Sequence, residues 1–63
     1  MEYLFNLGFN ENEIKNIITT NNEVMDLNDE EIKSLVMILV NIGCKDYHIK
    51  NIIIANPYYL SRS

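Results

Sequence analysis

The sequence predicts an all-α fold, a small helical-repeat domain of four helices in two helix-turn-helix units with short 3₁₀ turns. Three observations carry this prediction. Apolar residues recur every three or four positions rather than in alternation. No Asn-Gly or Asp-Gly hairpin signal occurs. An 18-residue segment recurs 35 positions later: LFNLGFNENEIKNIITTN (4–21) and LVNIGCKDYHIKNIIIAN (39–56) are identical at nine positions, where this composition would give roughly one or two by chance. The repeat units run approximately over 1–27 and 28–60 of a single domain of 63 residues, with 61–63 as a frayed tail.

The helices are expected near 2–7, 11–20, 29–42 and 46–55, the last three forming the core. The first ends at Gly8, a residue suited to the positive φ that commonly closes a helix. In the second, Asn10 precedes Glu11-Asn12-Glu13, an N-cap followed by an acid at the third helical position, which is the capping-box pattern. Ile14, Ile17 and Ile18 then form one apolar face, and Thr19-Thr20-Asn21-Asn22 ends the helix by competing for its backbone. The third helix opens with Asn28 as cap, Asp29 and Glu30 at the positive end of the helix dipole and Glu31 closing a second box. Its stripe is Ile32, Leu35, Val36, Leu39 and Ile42, widened by Met37, Ile38 and Val40. An apolar surface that broad predicts a central helix buried on several sides, touching both the preceding and the following helix. Gly43 closes it. Asp46 starts the last helix, with Ile49, Ile52, Ile53 and Ile54 inside. Pro57 ends it and excludes Asn56 from the α region. A 3₁₀ turn then follows, with Tyr58 and Leu60 tucked beneath the helices as Val24 and Leu27 are in the first unit.

Composition narrows the function. The chain is 48% apolar and 22% charged, a globular balance. Its length excludes a multidomain enzyme. The longest apolar run, Leu35 to Val40, falls far short of the roughly 20 residues needed to span a bilayer, and no signal peptide is apparent. A cytoplasmic location without membrane contact is therefore expected. A single Cys can form neither an internal disulfide nor a multi-Cys metal site. The net charge of −4 is unevenly spread, −7 over residues 1–31 and +3 over 32–63. That lacks the uniform basic footprint of a nucleic-acid binder and suits either solvated faces or complementary ends.

The string Leu7-Gly8-Phe9, Ile14, Ile17, Ile18 in the first unit, with Gly43, Ile49, Ile52, Ile53, Pro57 and Leu60 in the second, resembles the repeat of the mitochondrial transcription termination factor family over roughly residues 3–60. The resemblance implies units of two α-helices and a 3₁₀ turn stacked into a curved solenoid, and nucleic-acid binding by a basic concave surface. This chain departs from that pattern in its acidity, in its one and a half to two units, and in Asn22, which stands where the first unit would carry its Pro. A weaker resemblance, through Leu7-Gly8-Phe9 and Asn21-Asn22-Glu23-Val24, is to the ubiquitin-associated domain, whose equivalent loop grips an apolar patch.

Catalytic chemistry has little to draw on. Cys44 and His48, the only residues of their kinds, could form a thiolate pair if they met, but Cys44 stands in the apolar slot of Phe9. Asp29, Glu30 and Glu31 are explained by their place at a helix start. There is no phosphate loop and no zinc spacing. No catalytic residue, cofactor or metal is expected. Lys45, Tyr47, His48, Lys50, Tyr58, Tyr59 and Arg62 form the candidate interaction surface, since aromatics beside cations can stack bases and hold phosphates. Met25 and Met37 are assigned to the core, with a protein-binding groove as the alternative. Gly8, Gly43, Asn10, Asn28 and Pro57 are structural. The function expected is a small non-catalytic interaction module acting through a protein partner or a homo-oligomer; the alternative is a minimal nucleic-acid-binding module.

Overall fold

The computed structural model describes residues 1–62. Four α-helices, α1 (Glu2–Asn6), α2 (Glu11–Thr20), α3 (Asp29–Asn41) and α4 (Asp46–Ala55), alternate with two 3₁₀ turns, Asn22–Asp26 and Pro57–Tyr59. Each unit thus runs helix, glycine turn, helix, 3₁₀ turn, and among the described residues there is no strand.

The helix ends follow their local chemistry. Gly8 and Gly43 have φ of 103° and 101°. In the first turn the Gly8 N–H donates to the Phe5 carbonyl and the Phe9 N–H to the Leu4 carbonyl. Gly43 and Cys44 donate likewise to Val40 and Leu39. Both are Schellman closures, in which a left-handed residue turns two N–H groups back onto the last carbonyls. Both capping boxes are formed: Asn10 with Glu13 and Asn28 with Glu31 exchange side-chain and backbone hydrogen bonds. Helix α4 starts after Lys45 with no side-chain cap. Asn56 is held at φ −141°, ψ 82°, outside the α region, ahead of Pro57.

The core draws on all four helices, on the first 3₁₀ turn and on Leu60 after the second. Leu4, Ile17, Val24, Ile32, Val36, Ile49, Ile53 and Leu60 are all but inaccessible to water, with Phe9, Ile14, Leu27 and Leu39 beside them. Contrary to the sequence expectation, α1 therefore belongs to the core through Leu4 and the Phe9 that follows its turn. Helix α3 packs chiefly on α1 and α4, while α2 packs on α4 and on both 3₁₀ turns. The expected contact of α3 with the following helix is present, but its other main neighbour is α1 rather than the preceding α2, because units stacked in parallel set like helices side by side.

Helix α3 is also less buried than its composition suggests. Ile38 and Ile42 are 56% and 73% exposed, and Met37 and Val40 are exposed as well. Ile52 and Ile54 on α4 share this position, as does Met25. A broad apolar stripe requires neighbours on several sides, and two units supply α3 with only α1 and α4 as main neighbours. In the second 3₁₀ turn, Leu60 is buried as expected, but Tyr58 is 61% exposed. Tyr59 is the tyrosine that turns inward, its hydroxyl donating to the Leu35 carbonyl.

The tail is anchored rather than frayed as far as it is described. The Arg62 N–H donates to Glu23, and its guanidinium donates to Glu31 and to the Asp26 carbonyl. Ser61 bonds the Tyr58 carbonyl. Ser63, the rest of the expected tail, lies outside the described residues.

Candidate functional site

The seven residues of the predicted interaction surface separate into two groups. Lys45, Tyr47, His48 and Tyr58 are exposed, and the Tyr47 and His48 rings lie with centroids 4.2 Å apart. The other three are engaged within the fold. Lys50 pairs with Glu13 at 3.1 Å, Arg62 with Glu31 at 2.9 Å, and Tyr59 is tied to α3. Burial, reinforced by the nearby Cys44, pushes the Tyr59 phenol above its ordinary value. Two of the four basic side chains of the second half, Lys50 and Arg62, thus neutralise acids of this same chain.

The Lys50 contact crosses the seam between the units, whereas those of Tyr59 and Arg62 tie the second unit's own 3₁₀ turn and the tail to α3. Glu13 on α2 faces Lys50 on α4, and the Met1 ammonium faces Asp29 at 2.7 Å. Asn10's backbone N–H, and then Lys50, hold the Glu13 carboxyl below its usual range. The terminal ammonium does the same for Asp29, and Arg62 followed by the Asn28 N–H for Glu31. Hydrogen bonds to the ionised form are the cause in each case.

The residue at the centre of the seam is Asn21, which sequence reasoning took only as a helix stop. It is 6% exposed. Its Nδ2 donates to the Pro57 carbonyl at 3.0 Å and the Leu60 carbonyl at 2.9 Å, and its Oδ1 accepts from the Glu23 N–H. One amide thus turns its own chain and clamps the other unit's 3₁₀ turn. The available signal was its identity with Asn56 in the repeat.

Cys44 is half-buried and packs against the core, as Phe9 does in unit 1. Among the described residues no three His, Cys, Asp or Glu side chains converge as a metal-binding group, and no helix is long and apolar enough to cross a membrane.

The structure also presents an apolar surface that sequence analysis assigned to the interior. Ile38 on α3, Ile42 at its C-cap and Ile52 on α4 are exposed on unit 2, and Asn51 and Asn56 are exposed with them. No family model matches the chain, and no curated protein and no solved structure matches it significantly.

Proposed function

We propose that the chain is a small non-catalytic helical interaction module, acting through a protein partner or by self-association. The observation that carries this is the exposure of Ile38, Ile42 and Ile52 in a domain that needs its apolar side chains for its own core. The ion pairs that occupy Lys50 and Arg62 support protein over nucleic acid as the partner. A reducing compartment, the cytoplasm, suits the lone Cys44 thiol. Site-specific photo-crosslinking in producing cells tests the reading. A crosslinker at position 42 should yield a protein adduct, and one at the exposed Thr19 should not. No protein adduct from position 42 would reject it.

A second reading rests on the exposed group Lys45, Tyr47 and His48, with its tilted aromatic pair, and on the resemblance to the termination-factor repeat. It makes the chain a minimal nucleic-acid-binding module. Fluorescence anisotropy of mixed-sequence oligonucleotides would then show affinity falling steeply with added salt, and the Lys45→Ala/Tyr47→Ala variant would lose binding. Absence of binding at low salt rejects it.

A further inference from the structure

Equivalent positions of two units with the same local backbone are equally exposed unless a neighbour covers one of them. Four repeat pairs break that equality in the same sense. Ile17 is 1% exposed and Ile52 36%. Asn21 is buried and Asn56 exposed; Leu7 is half-buried and Ile42 is 73% exposed; Tyr3 is half-buried and Ile38 is 56% exposed. Unit 1 has unit 2 on that side, and among the described residues nothing covers unit 2 there. The pair Phe5 and Val40 is exposed in both units, at 47% and 39%, and so marks an outer flank rather than the stacking side. Ile38, Ile42, Ile52 and Asn56 are therefore the continuation of the face by which unit 1 holds unit 2.

The opposite side of the chain cannot complete this face. At the seam, Pro57 and the exposed Ile54 of unit 2 line a cleft with Ile17 of unit 1, and Lys50 pairs with Glu13. The matching positions of unit 1 are Thr19, Asn22 and Lys15, and the match of Glu13 is His48. Copies stacked in open series would set isoleucines against a polar end and replace an ion pair by Lys15 against His48. Unit 1 thus has the polar outer surface of a terminal repeat, which unit 2 lacks.

Face-to-face contact has neither fault. The isoleucines meet isoleucines. Ile38, Ile42, Ile52 and Asn56 carry no ionisable group, so they do not repel their own copies. Asn56 carries both donor and acceptor and can pair with its own copy across a two-fold axis. We infer that the Ile38–Ile42–Ile52 face is the contact surface of a two-fold homodimer of this chain. The inference rests on the interaction-module reading and names its partner as a second copy.

Sedimentation equilibrium of the full chain from about 10 µM to about 1 mM, the span over which weak dimers dissociate, should reach the mass of two chains and stop. Ile42→Asp and Ile38→Asp should each weaken the dimer at least about tenfold, as loss of a central apolar anchor does, with helical circular dichroism kept. Thr19→Asp, on the polar end, should leave it intact. Isotope-filtered NMR on the unmutated protein should show interchain contacts from the Ile42 methyls to Ile38, Ile42 or Ile52. A single-chain mass at the highest concentration, growth beyond two chains, disruption by Thr19→Asp, or interchain contacts from Ile42 to Lys15 or Thr19 would each overturn the dimer. A monomer that still crosslinks to another protein through position 42 would sink this inference alone, whereas no protein adduct would sink the interaction-module reading as well.

Discussion

Asn21 shows how much one side chain can hold in a domain of this size. Its amide satisfies two carbonyls of the opposite unit and caps its own turn. Asn21→Ala leaves the Pro57 and Leu60 carbonyls without that donor, at a cost of about 1–3 kcal/mol. Asn56→Ala, the same change at the exposed repeat position, should stay within about 0.5 kcal/mol in the monomer. Chemical denaturation of the two variants at micromolar concentration checks the contrast, and equal losses would remove the role given to Asn21. The two turn glycines make a different point. A Cβ at Gly8 or Gly43 would meet nothing within 4 Å, so the cost of Gly8→Ala or Gly43→Ala is conformational alone, about 1–2 kcal/mol from the left-handed backbone. Gly→Val at either site should lose at least as much. An unchanged melting temperature in both alanine variants would refute the strain argument.

At the scale of the element, the two units differ most at the start of their second helix. Asn10 and Glu13 cap α2, while the repeat places Lys45 and His48 at the corresponding positions of α4. Lys45→Asn supplies the missing acceptor and should stabilise the protein by about 1 kcal/mol, read as a higher denaturation midpoint. No gain would mean that the first turn of α4 is already satisfied by water. This element also shows what was legible in the sequence. Caps, glycine closures and the proline stop are local chemistry, and the boundaries of all four helices fall within a residue of expectation. Periodicity showed that Ile32, Val36 and Leu39 share a face, but not how many neighbours α3 would have. That is why Ile38 and Ile42 were assigned to the interior. Lys50, Tyr59 and Arg62 were grouped with Lys45 and Tyr47 by proximity in the chain. Their engagement by Glu13, Leu35 and Glu31 depends on contacts across 24 or more residues, which spacing along one segment does not encode.

Across the whole molecule, the charge asymmetry that first suggested complementary ends is partly spent inside the fold. The acidic first half meets cations of the second through Glu13 and Lys50, and Glu23 accepts from the Arg62 N–H. Glu31 and Arg62 bind the tail to α3. The units are therefore joined by carboxylates as well as by the apolar core. Glu13, Asp29 and Glu31 all titrate below their ordinary values of 4.5, 3.8 and 4.5. A carboxyl whose pKa is lower folded than unfolded binds fewer protons in the native state over the interval between the two, so stability rises with pH there. The contribution is complete above the ordinary values and is lost as pH falls below them through the depressed ones. Because these groups are exposed, solvent and salt reduce it. Melting temperature should thus hold between pH 7 and pH 5 and fall towards pH 3, less steeply in high salt. The triple variant Glu13→Gln, Asp29→Asn, Glu31→Gln should melt lower than the parent at pH 7 and change less between pH 7 and pH 3. A profile for the variant as steep as the parent's would show that other carboxyls carry the acid sensitivity and that the seam does not depend on these three.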